Sequence, residues 1–222
     1  MLILKLTNIT KEYNSRVILN DINLSCKNCE MIAIKGKSGV GKSTLLNIMA
    51  GLERATSGEY YYNEILMNDK SINSLSKFRQ ANVGYISQHS PMIPELTVLE
   101  NICVPVWFEK DEEKKKEYMQ QIESLSMLFE INNLLDKKIN ALSGGEIQRA
   151  GIIRSILKKP QLIIADEPTA ALDDETALMI LTHFNFLKSE GAIIIVVTHN
   201  DIVSKHCDKT YQLSKEGLLL IS

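Results

Sequence analysis

Gly36-Lys37-Ser38-Gly39-Val40-Gly41-Lys42-Ser43-Thr44 follows the apolar run Met31-Ile32-Ala33-Ile34. It precedes an amphipathic stretch carrying Leu45, Leu46, Ile48 and Met49. The order strand, glycine-rich turn, helix, with the spacing Gly36-x-x-x-x-Gly41-Lys42-Ser43, is that of a phosphate-binding loop. Glycines 36, 39 and 41 are expected to take positive φ and turn several N–H groups toward one anion. The helix opening near Lys42 adds its positive dipole end at the same point. Lys42 is expected on the β- and γ-phosphates and the Ser43 hydroxyl on Mg²⁺. The pattern fits a nucleoside triphosphate.

Upstream, residues 2–9 alternate as a strand does, and 17–19 and 22–25 read as two more, split by the turn-forming pair Asn20-Asp21. Tyr13 falls in the loop between the first two strands. Downstream, Glu59-Tyr60-Tyr61-Tyr62 and Ile65-Leu66-Met67 form a hairpin around Asn63-Glu64. Residues 74–80 read as a short helix and 83–87 as a buried strand running into Gln88. Thr97 and Glu100 have the spacing of a capping box. Residues 111–128 are strongly helical, with Asp111–Lys115 and Glu112–Lys116 as i,i+4 pairs on a solvated face. Residues 97–158 therefore read as an all-helical insertion between strands. Leu162-Ile163-Ile164-Ala165 and residues 192–198 have the continuous apolar character of parallel strands buried on both faces. Between them, 174–188 is a helix with Ala177, Leu178, Leu181, Phe184 and Leu187 on one face. Residues 211–213 and 218–221 close the chain as a hairpin. The fold class is α/β: a mostly parallel sheet, an N-terminal antiparallel part and an inserted helical part.

Bulk properties narrow the function. The chain has 222 residues, 45% hydrophobic and 23% charged, with a formal net charge of -2 and a pI near 6.1. Such a charge balance lacks the basic field of a nucleic-acid binder. The best apolar run, Ala192–Val197, falls far short of the roughly 18 residues that span a bilayer. The opening Met1-Leu2-Ile3-Leu4-Lys5 lacks the order of a signal peptide. Any membrane role is expected to come through a partner. Cys26 and Cys29 have C-x-x-C spacing, but no second pair or histidine cluster completes a tetrahedral set. Strand-end and turn positions are the simpler reading for them, and buried thiols for Cys103 and Cys207.

Three further pieces join the loop at 36–44. Asp166-Glu167 follows a buried strand, where doubly wound sheets bind ligands. Asp166 suits a metal-holding carboxylate and Glu167 a base for the water attacking the γ-phosphate. His199, after the strand at 192–198, reaches the same edge and can hold that water and Glu167 in line. In Leu142-Ser143-Gly144-Gly145-Glu146-Ile147-Gln148-Arg149, Ser143 can cap a helix running to about Leu157, with Glu146 at its N3 position. That helix start offers a second phosphate-binding end. One chain has no use for two, but a head-to-tail pair does.

With these pieces the chain resembles, along essentially its whole length, the ATP-binding subunit of ABC transporters. The resemblance makes 142–149 the signature motif, with Ser143, Gly144, Gly145 and Glu146 acting on the nucleotide of a second chain. Gln88 matches the glutamine that touches Mg²⁺ and the attacking water. Ala171-Leu172-Asp173 matches the D-loop, His199 the switch histidine, and Tyr13 the aromatic that stacks on adenine. Ile147, Ala170 and Cys29 depart from the usual Gln, Ser and Gly. Neither Ile147 nor Ala170 removes a phosphate ligand or the base.

Length and the phrase Leu96-Thr97-Val98-Leu99-Glu100-Asn101 look like the macrolide-exporter, lipoprotein-release and bacteriocin-export subgroup. The resemblance implies a Mg²⁺-dependent ATPase on the cytoplasmic face of the cell membrane, held there by a separate permease. Two copies would close on two ATP molecules. Residues 1–96 and 159–222 would be the nucleotide-binding core and 97–158 the signature lobe. Ile93, Val106, Trp107 and Phe108, near Gln88, would suit the permease or, equally for Trp107, the interior of the lobe. The competing reading is a soluble or regulatory ATPase of the same family that is not engaged in transport.

Overall fold

The computed structural model describes residues 3–222. Leu2, expected to start the first strand, and the opening residues weighed as a signal peptide fall partly outside them. Strands β1 (Ile3–Tyr13) and β2 (Arg16–Lys27) form one long hairpin. Asn14 and Ser15 join them with φ of 46° and 66°, the two left-handed residues of a tight two-residue turn. Tyr13 is thus the last residue of β1, paired with Arg16, and not part of a loop. Asn20-Asp21 is not a turn either. The register shifts three times, once at Asn8 on β1 and twice on β2, at Asp21 and again at Ile18; Asn8 and Asp21 both have φ 50°. The Asn8 amide donates to the Asp21 carboxylate across the pair. Asn and Asp tolerate this conformation, so the strands bend without ending.

Strands β3 (Met31–Lys35), β4 (Ser57–Tyr62), β5 (Ile65–Leu66) and β6 (Val83–Ile86) follow. Helix α1 (Lys42–Met49) lies after β3 and α2 (Ile72–Asn82) before β6. Next come α3 (Val98–Cys103), α4 (Glu112–Leu128) and α5 (Gly144–Ile156), then β7 (Leu162–Asp166) and α6 (Asp174–Ser189). The chain ends with β8 (Ile193–Val197), α7 (Asp201–Lys205), β9 (Lys209–Ser214) and β10 (Gly217–Leu220). An antiparallel sheet has the order β2-β1-β4-β5, and a second sheet the order β10-β9-β3-β8-β7-β6. In the second, β9, β3, β8, β7 and β6 run parallel and only β10 is reversed.

Both faces of this sheet are covered, which is why its central strands β3, β7 and β8 are apolar almost throughout. Ile163, Ala165, Ile194 and Val196 point to a core shared with α3, α4, α5 and α6. Their neighbours Leu162, Ile164, Ile193, Ile195 and Val197 point the other way, to α1 and the antiparallel sheet.

The capping box at Thr97 and Glu100 is present, with Thr97 N–H donating to Glu100 at 2.7 Å. The charge pairs expected on α4 are not. Asp111 lies just outside the helix and accepts from the N–H groups of Glu113 and Lys114. Lys115 instead reaches Glu112 at 2.6 Å. A carboxylate at a helix start gains more from free N–H donors than from an exposed lysine. On α6, Leu178 is 41% exposed, whereas Ile180 takes its place in the core beside Ala177, Leu181, Phe184 and Leu187.

Candidate functional site

The carboxyl ends of β3, β6, β7 and β8 arrive at one edge, because these strands are parallel. The loops leaving that edge line an open cleft of about 690 Å³. Ser38, Gly39, Gly41, Lys42, Ser43 and Thr44 come from the segment after β3, Gln88 from that after β6, Asp166 and Glu167 from β7, and His199 from β8. Tyr13 and Arg16, at the tip of the long hairpin, form the far wall. Residues more than a hundred positions apart are thus gathered by sheet order alone.

The phosphate loop departs from expectation at one glycine. Gly39 and Gly41 take positive φ, 75° and 107°. Gly36 does not; it is needed because a Cβ there would lie 2.7 Å from the Leu213 carbonyl oxygen. Lys37 is exposed, and Val40 is half-buried against the apolar core that anchors the loop. Lys42 Nζ donates to the carbonyls of Gly36 at 2.7 Å and Lys37 at 3.1 Å, and lies 3.3 Å from His199 Nε2. The Ser43 hydroxyl donates to Asp166 Oδ2 at 2.8 Å. A hydroxyl beside a carboxylate is an all-oxygen pair, which suits a hard divalent cation such as Mg²⁺.

Glu167 has φ 50°, an uncommon conformation for a non-glycine residue. Its N–H donates to the Val197 carbonyl at 2.9 Å. Its Oε1 is buried without a hydrogen-bond partner among the described residues and stands 3.6 Å from His199 Nε2. Tyr13 donates to Glu53, which Lys11 also engages at 3.0 Å; the Lys11 ammonium sits 4.7 Å from the Tyr13 ring centroid. Desolvation, then the hydrogen bond to Glu53, holds the Tyr13 hydroxyl above its ordinary pKa.

The signature stretch does not line this cleft. Ser143 caps α5, its N–H donating to Glu146 at 2.7 Å and its hydroxyl at 2.8 Å. Those contacts, the backbone one first, hold the Glu146 carboxyl below its usual range. Ser143 and Gly144 are exposed, and a Cβ on Gly144 would meet nothing within 4 Å. Asp173 caps α6 through Thr176 N–H at 2.9 Å. The cysteines are free and face different ways. Cys26 is buried, its thiol pushed up to about 12 chiefly by desolvation, and Cys29 is exposed. Gln148, Lys11 and Glu53 are contacts that the sequence reading missed. Gln148 stood inside a motif already read for its cap and glycines, and Lys11–Glu53 joins positions far apart in the chain.

A family profile described as ABC transporter matches residues 19–170. The chain is 37% identical over 98% of its length to the uncharacterized ABC transporter ATP-binding protein YvrO of Bacillus subtilis, covering 96% of that protein. It is 34% identical over 99% of its length to the lipoprotein-releasing system ATP-binding protein LolD of Francisella tularensis, covering 96% of it. A dimeric post-hydrolysis structure of the ATP-binding cassette MJ0796, bound to ADP and Pi, superposes with a TM-score of 0.88 at 33% identity. That match covers 97% of this chain and 96% of the other. The parallel sheet, the phosphate loop at its edge and these full-length matches agree: the chain belongs to the ABC transporter family and is one of its ATPase cassettes.

Proposed function

We propose that two copies of this chain close head to tail on two ATP molecules and so drive a separate membrane permease. One observation carries this reading. The cleft gathers Tyr13, Lys42, Ser43, Gln88, Asp166, Glu167 and His199, whereas the helix start at Ser143, Gly144, Gly145 and Glu146, exposed at the first two and half-buried at the others, stands outside it. Each site is completed when the second chain brings that helix start to the γ-phosphate.

Lys42 and the N–H groups of residues 36–44 hold the phosphates, and Tyr13 stacks on the base. Ser43, Asp166 and Gln88 are the oxygen donors that would hold Mg²⁺, which when bound offsets phosphate charge. Glu167 accepts the proton of the attacking water, and His199 keeps that water and Glu167 in line. Asp173 lies at the chain–chain seam. We read residues 1–96 and 159–222 as the core and 97–158 as the signature lobe. The permease contact falls on the lobe near Gln88, where Ile93, Trp107 and Phe108 are exposed, Phe108 at 91%. Val106 is half-buried and packs partly on the core. Attachment to the cytoplasmic face is through the permease; no helix among the described residues is long and apolar enough to cross a membrane. Similarity to LolD supports the exporter or mechanical-transmission class.

The test uses Glu167→Gln. The variant should bind ATP, lose nearly all phosphate release and elute as a dimer with ATP; release at the parental rate would overturn the mechanism. Mixing a Ser143→Arg chain with a Lys42→Ala chain leaves one composite site intact. Failure of that mixture to form an ATP-dependent heterodimer would overturn the head-to-tail arrangement.

A further inference from the structure

Gln148 is only 2% exposed and bridges α5 to the segment that follows β7. Its Nε2 donates to the Glu167 carbonyl at 3.0 Å, and its Oε1 accepts from Ala171 N–H at 3.3 Å. Turning the amide over would oppose oxygen to oxygen, so its partners fix its orientation. The Glu167 carbonyl also accepts from Ala170 N–H at 3.2 Å, while the Glu167 N–H is held by Val197 on β8. Glu167 is therefore pinned from both sides at φ 50°, a conformation that persists only where its surroundings over-determine it.

The same helix touches the neighbouring loops along one stripe. A Cβ on Gly145 would lie 3.2 Å from the Ala171 carbonyl oxygen, and one on Gly151 would lie 2.7 Å from Ser90. Ser155 Oγ reaches the Tyr85 carbonyl at 2.8 Å. Positions 145, 148, 151 and 155 share a helix face. Along it α5 meets the D-loop segment, the Glu167 backbone, the segment beyond Gln88, and β6.

We propose that Gln148 is a positioning residue: through its two amide hydrogen bonds, the helix that starts at Ser143 sets the backbone of Glu167 in the same chain. The inference rests on the proposed function, in which Ser143 meets the nucleotide held by the other chain. A shift of α5 as Ser143 engages that nucleotide is then passed to this chain's own base and D-loop. The two sites of the dimer are coupled through one rigid helix in each chain.

The experiment measures ATP hydrolysis in mixed dimers of the full chain with a single working site. A Lys42→Ala chain supplies only its signature stretch, and its partner supplies the intact loop, Glu167 and His199. Gln148→Leu in the partner should lower kcat about tenfold or more with KM for ATP changed less than about twofold. The same substitution in the Lys42→Ala chain should leave kcat within about twofold. Should Gln148→Leu not stay folded in a thermal melt, Gln148→Asn keeps the amide, shortens its reach by one methylene and carries the same comparison. Parental kcat with the substitution in either chain, or loss only when it lies in the signature-supplying chain, would overturn the proposal. A merely structural role would lower ATP affinity and melting temperature together and leave the kcat of folded enzyme unchanged. If the parent chain itself neither dimerises nor turns over ATP, the proposed function fails and not the role of Gln148.

Discussion

Ser43 and Asp166, 123 positions apart, share a hydrogen bond of 2.8 Å. The contact follows from strand order: β3 and β7 flank β8 in one sheet, so Asp166, the last residue of β7, meets Ser43 in the first turn of the helix that follows β3. Ser43→Ala removes the hydroxyl and leaves the Asp166 carboxylate without that donor. The Mg²⁺ concentration for half-maximal ATP hydrolysis should rise about 10- to 100-fold, which a titration of rate against metal measures. The melting temperature without nucleotide should hardly move, because the Ser43 side chain is exposed.

Tyr13 is braced by Glu53 and Lys11. On the proposed stacking of Tyr13 against the base, Tyr13→Ala should weaken ATP binding by about 1–3 kcal/mol, the usual worth of base–aromatic stacking. Tyr13→Phe keeps the face, loses only the bond to Glu53, and should bind ATP within about threefold of the parent, under 1 kcal/mol. Calorimetric titration of both variants separates the ring from its hydroxyl.

Gly36→Ala tests the close approach of the phosphate loop to β9. A methyl 2.7 Å from the Leu213 carbonyl oxygen and 3.0 Å from Val40 Cγ1 forces backbone to move. Overpacking of this kind costs about 1–3 kcal/mol, read as a lower midpoint in urea. Gly39→Ala has open space, and its cost comes from φ 75° alone.

Three capping carboxylates, Glu100, Glu146 and Asp173, are each held below their ordinary pKa first by backbone N–H donors. A carboxyl depressed in the folded state contributes stability that is full above its unfolded value and is lost as pH falls through the folded one. Unperturbed carboxyls titrate at about 4.3 for Glu and about 3.9 for Asp. From these groups the urea midpoint should therefore be flat from about pH 7 to about pH 5 and fall in stronger acid. Glu146→Gln keeps a capping side chain without the titration and should shallow that acid limb.

Local signals made most of the fold legible. The glycine spacing at 36–44, the capping boxes at Thr97 and Ser143, and the turn pair Asn63-Glu64 act within a few residues, and each stands where the sequence placed it. Continuous apolar strands marked the parallel sheet, because burial on both faces removes the alternation. What could not be read was settled by distant partners. The free N–H groups at the start of α4 outbid Lys115 for Asp111, and rotation of α6 on its neighbours chose Ile180 over Leu178. Gly36 answers to Leu213, and Gln148 to Glu167 and Ala171; no spacing rule reaches across the sheet or between helix and loop. Apolar character alone did not separate Trp107, which is 48% exposed, from Val106, which is packed.

Among the described residues no protein donor reaches Oε1 of Glu167, whereas Oε2 accepts from the His199 N–H at 3.4 Å. The two oxygens of one carboxylate are thereby set to different tasks: one is tied to the fold, and the other is left to whatever O–H enters the cleft.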